Sequence, residues 1–251
     1  MSLSITAVIL AKDEEQMIGD AIRSVAFADK ILVVNNDSSD NTENISKKLG
    51  AQVIRVNSQD FSELRTYPLK KISTDYIFYL DADERVSESL EKEIITILES
   101  GQGASAYRIP RQNFYYGLHP WPKIEHLERL FKANSLNGWK GILHETAEVK
   151  GSISDLKSPI LHYSHQSLAS MVEKTNRWSE AEARLRLASK HPKMSWWRFP
   201  RVMMTAFNDS YFRQGGYKAG TAGVVESIYQ AFSIFITYAK LWELQEEGKA
   251  K

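Results

Sequence analysis

The chain has 251 residues, with 32 Lys and Arg against 31 Asp and Glu, a formal net charge of +1, 43% hydrophobic and 25% charged residues, and no cysteine. That length and composition describe a globular protein with a sizeable core, one domain with room for an appendage, and exclude a disordered or fibrous chain. Charge balance argues against a nucleic-acid binder, and the lack of cysteine removes disulfides, thiolate zinc sites, iron–sulfur clusters and cysteine nucleophiles together, which fits a reducing compartment.

Met1–Gln16 carries no basic segment and no small-residue cleavage site, so no signal peptide is expected and a cytoplasmic location is. Ile5–Leu10 is an apolar run of strand length. Asp13 then reads as a helix cap, with Gln16 able to reach back as its capping box. The pattern repeats: strand Ile31–Val34, the polar turn Asn35–Ser39, and Asp40 with Glu43 as a second capping pair before Ile45–Leu49. Ala51–Val56 predicts a third strand. After Phe61–Ile72, interrupted by Pro68, the unbroken run Tyr76–Leu80 predicts a strand buried on both faces. It ends on Asp81-Ala82-Asp83-Glu84, and Ser87 caps a helix through Glu99 with Leu90, Ile94, Ile95 and Leu98 on one face.

Strands alternating with helices imply a parallel sheet, in which ligands bind beyond the carboxyl ends of the strands. The turn after the first strand, Ala11-Lys12-Asp13-Glu14, has no glycine, so neither a GxGxxG dinucleotide loop nor a Walker A loop is present. Any phosphate must be neutralised otherwise. Asp81 and Asp83, one residue apart past a buried strand, can offer oxygen ligands to a hard cation such as Mg²⁺ or Mn²⁺ that bridges a diphosphate. Acidic pairs at strand ends are also commonly just solvated, so the pair by itself leaves both readings open.

The later chain is different in character. Ser167–Ser189 predicts a helix with Leu168, Met171, Val172, Thr175, Trp178, Ala181 and Leu185 on a stripe. Arg184 to Lys218 holds eight cations and one acid, a net +7, and Met194–Arg201 interleaves tryptophans with arginines. Cations beside Trp and Phe suit an anionic membrane interface; the alternative is helices that pack on the first part of the chain or on a second copy as a homodimer. Ser227–Ala239, between Glu226 and Lys240, is shorter than the roughly 20 residues of a spanning helix and predicts an amphipathic one with Ile228, Phe232, Phe235 and Ile236. Residues 1–165 and 166–251 are the expected division.

Ile9-Leu10-Ala11-Lys12-Asp13-Glu14-Glu15, Val33-Val34-Asn35-Asn36-Asp37-Ser38-Ser39-Asp40-Asn41-Thr42 and Leu80-Asp81-Ala82-Asp83-Glu84-Arg85 resemble, in order and spacing, the three successive signatures of family 2 glycosyltransferases with a GT-A fold. Asn113-Phe114-Tyr115-Tyr116-Gly117, Arg129-Leu130-Phe131, Leu143-His144-Glu145 and Leu161-His162-Tyr163-Ser164 resemble the subgroup of lipopolysaccharide-core and other cell-envelope sugar transferases. The resemblance covers nearly the whole chain. It implies an α/β, GT-A Rossmann-like fold with a mostly parallel central sheet flanked by helices and a helical C-terminal extension. It also implies inverting transfer of a sugar from a nucleotide-diphosphate sugar to an acceptor hydroxyl on a glycan or glycolipid.

Residue by residue, the resemblance implicates Lys12, Glu14, Asn35 and Asp37 in holding the nucleoside. Asn35 departs from the Asp common at that position and, donating as well as accepting, leaves the nucleoside open. Arg65 is either a donor contact or a surface arginine. Asp83 resembles the principal ligand of a Mn²⁺ or Mg²⁺ ion, with Asp81 on ribose or metal-bound water and His162 as a further ligand or a structural histidine. Arg129 would set a planar cation near the diphosphate, or pair with a carboxylate such as Glu128. Glu145 matches the catalytic base, with His144 orienting it or touching phosphate. The aromatic segment Arg111–Trp121, with Gly117 and Pro120 marking a loop, is either an acceptor-binding flap or core. A non-catalytic sugar-nucleotide-binding or carbohydrate-binding protein of the same fold is the alternative, against which Asp81, Asp83 and Glu145 together argue. A sugar-nucleotide pyrophosphorylase would need a glycine-rich, arginine-containing first loop, which is absent. The expected place is the cytoplasm, peripheral on the inner face of the plasma membrane.

Overall fold

Seven consecutive buried residues, Ile5–Ala11, form the first strand, β1. Side chains alternate between the faces of a strand, and both faces of β1 are apolar: Ile5, Ala7 and Ile9 enter one core cluster, Val8 and Leu10 another. A strand apolar on both sides needs cover on both sides, the condition met by a parallel sheet between other layers. The computed structural model, which describes residues 3–117, 119–141, 145–164 and 167–247, meets it.

After β1 come α1 (Ile18–Ser24), β2 (Lys30–Asn35), α2 (Thr42–Lys48), β3 (Gln52–Arg55), α3 (Phe61–Thr66) and β4 (Tyr76–Asp81). The strands β3-β2-β1-β4 are parallel, with Ile9 of β1 opposite Val33 on one side and Leu80 on the other. In β4 the alternation again fills both clusters, Tyr76, Phe78 and Leu80 on one side and Ile77 and Tyr79 on the other. Then follow β5 (Glu84–Val86), α4 (Glu88–Ser100), β6 (Ala106–Tyr115), β7 (His119–Lys132), β8 (Leu136–Lys140), β9 (Thr146–Val149), β10 (Ile153–Asp155) and β11 (Ile160–Tyr163). The sheet continues past β4 as β7-β6-β11-β5, with β10 on β6 and β7 antiparallel to β4. β8 and β9 form a separate antiparallel pair. The result is a mixed α/β fold whose parallel strands lie between helices, as the resemblance implied.

Local chemistry places most element ends. Ser87 caps α4 by accepting the Leu90 N–H, and Gly101 ends that helix in the left-handed region. Two expected caps are not made. Asp13 has φ of 53° and its carboxylate accepts from Ser39 N (2.7 Å) and Oγ (3.1 Å), so α1 starts only at Ile18, without a side-chain cap. Asp40 accepts from Thr42 N (2.9 Å) and Glu15 N (2.9 Å), while Glu43 turns to Lys47 and Arg55, both at 2.6 Å. Asp13 ties neighbouring loops together instead of capping its own helix, and Asp40 holds the first N–H of α2 while also reaching the loop after β1, which a short-range pattern does not see.

Two compact units divide the chain: Met1–Gln112 with Ile124–His162, and Asn113–Lys123 with Tyr163–Lys251. The second holds α5 (Leu168–Ala188), α6 (Arg198–Asn208) and α7 (Gly220–Glu247). α5 lies along α7 through Tyr229, whose hydroxyl donates to Met171 O at 2.7 Å, and α6 through Phe199 against Phe235 at 5.9 Å. The predicted helix Ser227–Ala239 sits inside the longer α7 because its charged boundaries are satisfied in place: Glu226, 1% exposed, accepts from Gln230, and Lys240 donates to Asn176 Oδ1 at 2.9 Å. In the segment read as a loop, Tyr116 and Gly117 form a turn after β6, and its aromatics pack in this unit, Trp121 buried against Tyr115 and Phe114 stacked on Tyr163. Trp121 is thus core, and Phe114, Tyr115 and Tyr116 are half-buried. Among the described residues no helix is long and apolar enough to cross a membrane.

Candidate active site

The polar ends of β1, β2 and β4 lie side by side, since parallel neighbours share direction and Leu10 is in register with Val34 and Asp81. Between the first two ends, Asp13 N donates to Ser38 Oγ (3.0 Å) and Glu14 N to Thr42 Oγ1 (2.8 Å), which with the Asp13 and Asp40 bonds makes a cross-linked cradle. Lys12 is exposed on it. Asn35 is 2% exposed and its amide is taken up internally, Oδ1 accepting from Ser38 N (3.0 Å) and Nδ2 donating to Glu43 (3.2 Å). Asp37 has φ of 54° and accepts from Asn57 at 3.2 Å.

Beyond β4 runs an alternating chain of charges. Arg65 is 4% exposed, so the surface reading of it does not hold; its Nε donates to Glu145 at 2.6 Å and its Nη2 to Asp81 at 2.9 Å. Its place is fixed by Tyr79, whose hydroxyl donates to the Arg65 carbonyl (2.6 Å), and by Trp139, whose ring lies 5.2 Å below the guanidinium. Arg129 donates to Asp81 (2.7 Å) and to Glu84 (3.0 Å), not to Glu128, and Arg111 reaches Glu84 (3.1 Å) and Glu125 (2.5 Å). Both oxygens of Asp81 are therefore held by arginine. Burial alone would raise the Asp81 carboxyl, but Arg129 and then Arg65 hold it well below the usual carboxylate range. Burial opposes the charge on Arg129 and Arg111 too, and the facing carboxylates outweigh it and raise both. These residues line a cleft of about 480 Å³, with Arg65, Asp81, Arg111, Arg129, Trp139 and Glu145 in its wall.

Asp83, two residues past Asp81, pairs with His162 on β11, its Oδ2 3.2 Å from Nε2. Burial would lower the imidazole, and the hydrogen bond to Asp83 overrides it, so His162 titrates above its ordinary value. A carboxylate and an imidazole are both ligand types that Mn²⁺ and Mg²⁺ accept, and substrate phosphate usually completes such a site. No group of three or more His, Asp or Glu residues with metal-site geometry occurs among the described residues. Asp83 and His162 thus fit a cation site, and Asp81 is held beside it in sequence by two arginines. His144 lies outside the described residues, so its expected role rests on the sequence. Sequence reasoning passed over Glu84, fully buried and central to the network, and Arg111. The available signal was an acid directly following a buried strand and its double-aspartate turn, which must find a cation if it is inside.

Residues 6–148 match the Glycosyl transferase family 2 family. The chain belongs to that family. RP128, an uncharacterized glycosyltransferase of Rickettsia prowazekii, is 30% identical over 96% of this chain and 87% of its own. The lipopolysaccharide core biosynthesis glycosyltransferase LpsC of Rhizobium meliloti is 23% identical over 96% of this chain and 93% of its own. Among solved structures, the glucosyl-3-phosphoglycerate synthase of Mycobacterium tuberculosis, in complex with Mn²⁺, UDP and glucosyl-3-phosphoglycerate, is 24% identical with a TM-score of 0.37 over 45% of this chain and 44% of that one; the match thus spans under half of that protein. As a family 2 glycosyltransferase the protein uses a nucleotide-sugar donor.

Proposed function

We propose that the protein is an inverting glycosyltransferase moving a sugar from a nucleoside-diphosphate sugar to a hydroxyl of a cell-envelope glycan, of lipopolysaccharide-core type. The observation that carries it is the meeting of Glu145, Asp81 and three arginines around one cleft next to the Asp83–His162 pair. Family membership and the likeness to LpsC support the acceptor class.

In this reading the cradle of Lys12, Glu14, Asn35 and Asp37 receives the nucleoside, with Asn35 shaping the turn from within. Asp83 and His162 would hold Mn²⁺ or Mg²⁺, which when bound supplies positive charge to the departing diphosphate. Arg129, fixed by two carboxylates, adds a planar cation on the same side. Glu145 takes the acceptor proton, acting late, as the sugar–phosphate bond breaks. Arg65 keeps that carboxylate aimed by a short bond and must share it with the incoming hydroxyl. We place the enzyme in the cytoplasm on the inner face of the plasma membrane, where a glycolipid acceptor is exposed; self-association of the C-terminal helices is the competing use of that region.

Glu145→Gln is the sharpest test, because it keeps shape and removes the base. Donor affinity by calorimetry stays near wild type, and transfer falls by about 10²–10⁴-fold. Near-normal turnover would remove Glu145 from the role. Asp83→Ala is expected to abolish the difference in UDP affinity with and without Mn²⁺, and an unchanged difference counts against the cation site. A panel of nucleotide sugars assayed for Mn²⁺-dependent donor hydrolysis names the donor, and no hydrolysis of any of them favours the binding-protein reading.

A further inference from the structure

In the second unit, large apolar side chains are exposed, and four cations of the segment have no carboxylate partner among the described residues. Trp196 is 82% exposed and Trp197 45%, just ahead of α6, and Met204 (65%) and Phe212 (59%) follow. On α7, Val224, Ile228 and Phe232 recur every fourth residue and all are exposed, which puts them on one stripe. Phe199 packs on Phe235, so the tryptophans enter α6 beside the stretch of α7 that carries Phe232. Of the eight cations from Arg184 to Lys218, Arg184, Arg186, Lys193 and Arg213 pair with Glu180, Glu182, Glu246 and Asp209. Lys190, Arg198, Arg201 and Lys218 have no carboxylate partner among the described residues; Arg198 instead lies 5.0 Å over the Trp197 ring and Lys218 5.7 Å over Tyr217.

We infer that this surface, centred on Trp196, Trp197, Arg198 and Arg201 with Ile228 and Phe232, docks on an anionic lipid layer. The charge pattern selects that occupant. A second copy meeting the same patch about a two-fold axis would bring Arg198 and Arg201 toward the same arginines, which have no carboxylate partner among the described residues to offset the like charge. Anionic headgroups supply the missing countercharge, and tryptophan, apolar with one N–H donor, is suited to headgroup depth. The inference deepens the proposed location and rests on it only for what the docking serves.

Flotation with phosphatidylcholine vesicles, with and without phosphatidylglycerol, tests it. The full chain is expected to float with the anionic vesicles and to be released by high salt, since screening shortens to about 3 Å at 1 M. Each cation near the surface adds about five-fold to partitioning, so Arg198→Gln with Arg201→Gln lowers binding by roughly 25-fold. Trp196→Ser with Trp197→Ser abolishes it while the melting curve stays that of the parent, because neither ring is buried. Absent flotation, binding indifferent to phosphatidylglycerol, or binding untouched by both double variants overturns the inference. So does a dimer, seen by sedimentation, that Ile228→Ser dissociates. Donor hydrolysis of the same preparations in vesicle-free buffer separates the two readings: intact hydrolysis without flotation sinks the surface alone, and flotation without hydrolysis sinks the chemistry alone.

Discussion

Glu84 shows how much of this site rests on buried charge. It is fully enclosed, accepts from Arg111 and Arg129 and takes the Asp81 backbone N–H at 3.0 Å. Removing one member of such a set leaves the others uncompensated, so Glu84→Ala is expected to cost about 3–5 kcal/mol in urea unfolding. A loss under about 1 kcal/mol would show that the network relaxes into water. Arg65 has a different burden, one fork joining Asp81 to Glu145. Lysine keeps the charge and loses the second donor direction, so Arg65→Lys is expected to lower kcat more than it raises the donor KM. Glu43 gives the pH dependence. Arg55, and then Lys47, hold its carboxyl down to about 2 from an ordinary 4.5. A depressed carboxylate stabilises the fold above its unfolded value and loses that contribution as pH falls, here between about 4.5 and 2. Because Glu43 also holds Asn35, acid melts in that window should loosen the nucleotide turn first, and Glu43→Gln should flatten the change.

Helix ends divide into those that local chemistry makes and those that a neighbour makes. Ser87 on α4 and Asp60 on α3, which accepts from Ser62 N and Glu63 N, are of the first kind. Each replaced by Ala should cost about 1 kcal/mol. The starts of α1 and α2 are of the second kind, because Asp13, Glu15 and Asp40 bond across to each other's loops. That trade costs helix length and yields a rigid cradle where a nucleoside is proposed to sit. In the second unit the chain turns into α7 so closely that a Cβ on Gly223 would strike the Gly216 carbonyl, which is backbone and cannot step aside. Gly223→Ala is therefore expected to destabilise by about 1–3 kcal/mol, a fall of several degrees in Tm for a chain of this length. An unchanged melt would mean that α7 shifts along its axis.

Across the molecule, the layered α/β order was readable from the chain because strands apolar on both faces and helices apolar on one leave few arrangements. Tyr76–Leu80 announced itself as an inner strand, and the polar turns after β1, β2 and β4 lie side by side as a parallel sheet requires. The C-terminal region was readable as helix and as cation-rich, and less so in extent, since Glu226 and Lys240 look like boundaries until their partners are known. Composition, periodicity and three short ordered motifs were thus enough for the fold class and the family, for these depend on patterns within a few residues. Which charges meet was settled only by folding. Arg65, Asp81, Arg111, Arg129 and Glu145 are far apart in sequence and adjacent in space, and a carboxylate's partner, ionisation and availability to a ligand follow from that adjacency rather than from its place in the chain.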